Sequence, residues 1–180
     1  IVMGHLLGGL TTLGLLVWLL LETRRSAKAL QPARRHIPWL AVSGLVILGM
    51  QIALGGWTSS NYAALACPDI PTCQGQWWPE DSNFAEGFVL WRGLGINYEF
   101  GVLDAPSRVA IHFAHRLGAV ATFTMLLLIG LRFRARSQAA ALRWAATLVL
   151  GAVTLQVLIG AGVVWFGLPL TLATAHNAVA

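Results

Sequence analysis

The first 21 residues, IVMGHLLGGLTTLGLLVWLLL, contain no Asp, Glu, Lys or Arg. At about 1.5 Å per helical residue they reach about 32 Å, enough to cross a hydrocarbon core of about 30 Å. Further apolar runs occupy 37–57, 107–131 and 144–166, and a fifth begins near Leu168 and is still apolar at Ala180. The expected fold class is all-α, a polytopic transmembrane helix bundle. Composition agrees. Hydrophobic residues make up 57% and charged residues 11%, against about 45–50% and about 25% in soluble domains. Too few polar side chains exist to cover a water-facing surface, and the chain is too apolar for disorder. The fifth run is too short to span, and the chain starts without Met inside an apolar run. The sequence therefore reads as part of a longer membrane protein. Basic residues follow the first run rather than precede it, so it is not a signal peptide.

Charge placement predicts the topology. Five of the 12 Lys and Arg (Arg24, Arg25, Lys28, Arg34, Arg35) lie between the first two runs, and four (Arg132, Arg134, Arg136, Arg143) between the third and fourth. By the positive-inside rule, basic loops 22–36 and 132–143 face the cytoplasm. Segment 58–106 carries six of the seven acids and faces outward. The net charge of +5 is thus a topology signal, with a possible contribution from anionic membrane lipid. It does not mark a nucleic-acid surface, which needs basic residues on a water-facing domain.

The chain echoes itself. MQIALGG (50–56) ends the second run and LQVLIGA (155–161) lies in the fourth, while AHRLGAVA (114–121) and AHNAVA (175–180) lie in the third and fifth. Each unit is a helix pair with a Gln on its first helix and an Ala-His on its second. Gln51 and Gln156 are read as hydrogen-bonding across helices, or as holding a ligand.

The outer loop holds both cysteines, in CPDIPTC, followed closely by Trp77 and Trp78. Tryptophan is favoured at the membrane interface. Residues 84–94 are expected to form a short surface helix, weakened by Gly87 and Gly93. In an oxidising compartment Cys67 and Cys73 can pair. A closed loop of about seven residues contributes about 2.4 kcal/mol in the chain-entropy model. The pair is either a staple for the loop or a redox-active thiol pair.

His5, His112, His115 and His176 lie inside apolar spans, where ionisable groups are costly and mark function. His36 sits beside Arg34 and Arg35 and reads as solvated. His115 falls eight residues past Ser107, and His176 eight past Leu168, so each is about 12 Å deep from the outer face. His5 lies about 25 Å above the inner face, again in the outer half. Heme iron takes two axial imidazoles from opposite sides, which different helices supply. His115 and His176 meet that requirement. His112 and His115, spaced i,i+3, share one side of one helix and do not. Arg108 and Arg116 are candidate cations for heme propionates. For each histidine the competing reading is a hydrogen-bonded packing residue.

IHFAHRLGA (111–119), CPDIPTC with GQWWP (67–79), QIALGGWTSSN (51–61) and LPLTLATAHNA (168–178) together resemble the C-terminal half of heme A synthase. The helix bearing His5 is similar to the last helix of that family's N-terminal half. The resemblance implies an eight-helix protein of two related halves that oxidises a methyl group of heme O to the formyl group of heme A. Residues 1–21 would then belong to the substrate-heme half and 37–180 to the heme b-binding half, with outer loop 58–106 and an incomplete last helix. It implies that His115 and His176 ligate a heme b cofactor, that His5 lies near the substrate heme, and that Cys67 and Cys73 form the second outer loop's pair. It leaves His112 a propionate or proton contact, and this stretch alone without a complete substrate site. It also implies a bacterial cytoplasmic (inner) membrane location, with heme O synthase, cytochrome oxidase assembly factors or a second copy of the chain as partners. Two other functions compete: a membrane cytochrome b that only transfers electrons, for example with quinone, and a non-catalytic subunit or transporter with packing histidines.

Overall fold

The computed structural model describes residues 2–24, 39–93, 95–99 and 101–180. It is built of helices: α1 (Val2–Thr23), α2 (Trp39–Ser60), α3 (Phe84–Gly87), α4 (Ala105–Arg136), α5 (Ala140–Trp165) and α6 (Leu170–Val179). Four of these, α1, α2, α4 and α5, are long and apolar enough to cross a membrane. Among the described residues the one β-type pairing is an isolated bridge between Cys73 and Gln76. The expected class, an all-α polytopic bundle, is the observed one. Residues 25–36 of the first basic loop, His36 included, lie outside the described residues.

Two expectations need correction. The first concerns loop 132–143. Helix α4 runs 32 residues, about 48 Å, and takes Arg132, Arg134 and Arg136 into its last turns. Because α5 starts at Ala140, the connection shrinks to residues 137–139. Hydropathy ends at 131, but Arg and Ala are good helix formers and cations in a last turn complement the helix dipole. The second concerns the surface helix expected over 84–94. It forms only as α3, a single turn whose first amides are capped by Asn83 Oδ1, which accepts from Glu86 N–H at 3.1 Å. Leu94 lies outside the described residues. At Gly87 the chain passes so near α4 that a Cβ would stand 2.9 Å from the Ser107 carbonyl oxygen. Trp57 Nε1 donates to the Gly87 carbonyl at 2.9 Å and ties α2 to the same point.

Helix α4 starts on Asp104, whose Oδ1 accepts from Ser107 N–H at 2.9 Å, with proline in the first turn where no N–H is needed. Packing follows chain order: α1 on α2, α2 on α4, α4 on α5 and α5 on α6, with α3 on α4. Among the described elements α6 makes no close backbone contact with α2 or α4. Small residues set the close approaches. Gly56 admits Met3 and Leu6 of α1, Gly44 admits Leu126 and Ile129 of α4, and Gly130 admits Leu150 of α5. Large apolar side chains such as Leu16, Trp18, Leu148 and Leu158 point outward, as a lipid-facing surface requires. Much of the dry core lies where the outer loop meets α4: Ala63, Cys67, Cys73, Leu103, Val109, Ile111 and Phe113. The Trp78 ring meets Phe113 edge-on, 5.2 Å between centroids.

Candidate functional site

Two groups of polar side chains converge on α4. The upper one fastens the outer loop. Cys67 and Cys73 are disulfide-bonded, with Cα atoms 4.6 Å apart, and both are fully buried. Within the loop, Asp69 accepts from the Thr72 hydroxyl, from Gly75 N–H at 2.9 Å and from Gln74 N–H at 2.6 Å. These hydrogen bonds, Thr72's foremost, hold its carboxyl down to about 2. Gln74 and Gly75 both take positive φ, 55° and 76°, which aims their N–H groups at that carboxylate.

Arg116 closes the loop from below. Its guanidinium donates to the carbonyls of Asp69 (2.6 Å), Thr72 (2.8 Å) and Cys67 (2.6 Å). His112, only 4% exposed, stands one turn earlier on the same face. Cys67 N–H reaches its Nδ1 at 3.1 Å and Arg116 Nε–H reaches its Nε2 at 3.2 Å. A neutral imidazole accepts at one nitrogen only, so one of these two N–H groups at a time is hydrogen-bonded to the ring. Arg108 lies two turns above His115. It lines a cavity of about 270 Å³ with Tyr62, Leu65, Gln74 and Val109.

The lower group occurs twice. Gln51 of α2 donates its amide to the His115 carbonyl at 3.1 Å, and the same nitrogen lies 3.0 Å from His115 Nδ1. One turn on, a Cβ at Gly55 would stand 3.2 Å from His115 Cε1. Gln156 of α5 likewise donates to the His176 carbonyl at 2.9 Å, and a Cβ at Gly160 would stand 2.8 Å from His176 Cε1. Each imidazole thus brings its Cε1 edge against a neighbouring helix at a glycine, one turn from a glutamine. Gly118 is bare for the same reason: Gln51 Oε1 occupies the space its Cβ would need. The two imidazoles sit within electrostatic range of each other although their helices do not touch. Neither Nε2 has a hydrogen-bond partner among the described residues, and neither is sealed in.

Three of the five buried, partnerless polar atoms among the described residues belong to this repeat: Gln51 Oε1, Gln156 Oε1 and His176 Nδ1. Of the residues predicted from sequence, His115 is brought near His176, and His112 and Arg116 near the cysteine pair. His5 is exposed on α1 and meets none of the others. Sequence reasoning passed over Gly55 and Gly160 as site residues. The signal was present as Gln-x-x-x-Gly in both copies of the repeat, since i and i+4 share a helix face.

The COX15-CtaA family model, described as cytochrome oxidase assembly protein, matches residues 1–180. The chain belongs to this family. Curated relatives of this COX15-CtaA chain carry the name heme A synthase. That of Shewanella oneidensis is 43% identical over 178 residues, covering 98% of this chain and 53% of that protein. The Roseobacter denitrificans protein is 31% identical over 180 residues, 98% of this chain and 44% of its own length. The Rhizorhabdus wittichii protein is 29% identical over 178 residues, 98% and 46%. The chain spans about half the length of the curated relatives it matches. No solved structure matches it. The resemblance to heme A synthase drawn from the motifs is borne out.

Proposed function

We propose that this chain is the heme b-binding part of a heme A synthase, which oxidises the methyl group of heme O to a formyl group. The observation that carries the reading is the pair of matched imidazoles on α4 and α6. Each is seated on a glycine and leaves Nε2 free. The fit to a bis-histidine heme is favourable. His176 Nδ1 is buried without a partner, a costly arrangement unless a ligand organises the ring, and glycine backbone leaves room for ring and macrocycle. In this reading His115 and His176 would hold the heme, and a heme held there would supply one-electron transfer.

Arg108, at the outer end of α4, is the cation offered to the propionates. Arg116 and His112 act one step away, holding the disulfide loop over the ligand helix. In this reading Cys67–Cys73 is a staple. His5 belongs to the substrate-heme side, whose remaining residues lie elsewhere in the protein. In this reading the outer loop faces outward from a bacterial inner membrane and the basic ends face the cytoplasm, which the charge asymmetry supports. Heme O synthase and oxidase assembly factors are the natural partners, and the lipid-facing helices leave room for a second copy.

The test uses the protein expressed from its whole gene. A reduced-minus-oxidised spectrum should show a b-type α-band that His115→Ala and His176→Ala each remove. Co-expression with heme O synthase should yield heme A or a hydroxylated precursor on chromatography of extracted heme. An α-band untouched by either substitution refutes the ligands, and absence of both products refutes the synthase.

A further inference from the structure

We infer that Gln51 and Gln156 are positioning residues for the two proposed heme ligands, each offering Oε1 to the Nδ1–H of its histidine. The inference rests on the bis-histidine reading above. An imidazole that binds iron through Nε2 must carry its proton on Nδ1, and that N–H fixes the ring only if an acceptor meets it. Within an apolar span few acceptors are available. In both copies of the repeat one is already in place. Gln51 and Gln156 are half-buried at their histidines, and the Oε1 of each is buried without a donor.

The geometry requires the amide to move. Gln51 Nε2 stands 3.0 Å from His115 Nδ1, and a half-turn of the amide exchanges its nitrogen and oxygen. Oε1 then meets Nδ1–H. The hydrogen bond to the His115 carbonyl, 3.1 Å long, is given up; that carbonyl keeps its intrahelical partner in α4, and the amide draws back from it so that the two oxygens do not collide. In the second copy the His176 carbonyl also accepts from Ala180 N–H at 3.3 Å. There the Gln156 amide meets the carbonyl and not Nδ1, so it must shift as well as turn to join the two orphaned atoms, Gln156 Oε1 and His176 Nδ1. Gly55 and Gly160 complete the device. Each lets the ring lie against backbone, so that the amide one turn earlier on the same face sets the ring's rotation.

An acceptor on Nδ1–H makes the imidazole a stronger donor to iron and favours the ferric state. A better acceptor strengthens the effect and a missing one weakens it. The whole protein with heme bound is prepared as wild type, Gln51→Leu, Gln156→Leu and Gln51→Glu. Midpoint potential and the ferric low-spin electron paramagnetic resonance spectrum are then measured. The leucine variants should shift the potential upward and move the largest g-value. Gln51→Glu should shift the potential downward. Opposite shifts separate an electronic partner from a packing residue, which would move both variants the same way. Full heme occupancy with wild-type potential and g-values in both leucine variants overturns the inference. If the leucine variants lose heme, Gln51→Glu decides alone: a lower potential supports the pairing and an unchanged one overturns it. A wild-type protein with no low-spin b-type signal refutes the bis-histidine reading instead, so the two failures are distinct.

Discussion

Replacing Arg116 should unfasten the disulfide loop by a calculable amount. Its guanidinium reaches three loop carbonyls at 2.6–2.8 Å. Hydrogen bonds to charged groups contribute about 1.5–3 kcal/mol each, and water entering an opened loop recovers part of that. Taking about 1 kcal/mol for each as the residue, Arg116→Ala weakens the closed loop by about 3 kcal/mol. At about 1.4 kcal/mol per decade, its opening becomes roughly 150-fold more favourable. Arg116→Lys keeps the charge but loses the planar fork; retaining one bond of three, it should give roughly 30-fold. Cys67 and Cys73 are fully buried, so a reductant reaches the bridge only through that opening. The assay is the rate at which a dithiol reduces the bridge in detergent-solubilised protein, read by thiol labelling and mass spectrometry. The expected order is alanine fastest, lysine intermediate, wild type slowest. A rate for Arg116→Ala within about threefold of wild type would show that the clamp carries less than about 0.7 kcal/mol, and the reasoning would fail.

Other substitutions give sharp outcomes. Gly160→Ala puts a methyl group 2.8 Å from His176 Cε1, so the ring must move and the low-spin signal should diminish; Gly151→Ala, which meets nothing within 4 Å, should leave it unchanged. Asp69, held down to about 2 in the folded loop against an ordinary 3.8, contributes stability that is complete above its unfolded value and fades as pH falls towards 2. Exchange protection at the Gln74 and Gly75 amides should therefore hold from neutral pH to about 4 and then fade, whereas Asp69→Asn should weaken it already at neutral pH. Asp104→Ala removes the cap of α4 and should cost about 1 kcal/mol, visible as a lower thermal midpoint; an unchanged midpoint would mean Pro106 alone sets the start.

The spans were legible because long apolar runs have few alternatives, and the helices found agree with those runs to within a few residues at most ends. The exception is instructive. Hydropathy cannot see α4 beyond 131, where arginines continue the helix in the polar zone. Gln51, Gln156, His115 and His176 were visible because polar residues inside apolar spans are scarce. Gly55 and Gly160 were hidden among 19 glycines, most of which need no partner, and only the ring contact distinguishes them. The Arg116 clamp was not legible at all, since its partners are main-chain carbonyls, which every residue carries. Sequence reasoning assigned that cation to propionates for want of any sign of the loop folding down onto it. The shortness of α3 likewise depends on a tertiary approach at Gly87, which glycine content alone can hint at but not specify.

The order in which the helices pack has a consequence for how the molecule is made. Among the described elements, interhelical contacts join neighbours along the chain, apart from α2 on α4, which the outer loop with α3 separates. Such a bundle can be laid down one hairpin at a time as the chain enters the bilayer, without waiting for distant partners. The first imidazole and its clamp exist once α2 and α4 have met. The second arrives with the α5–α6 hairpin. On the bis-histidine reading proposed above, the heme seat is then half built between those events, and a flat, lipid-soluble group has access to it before the second histidine arrives.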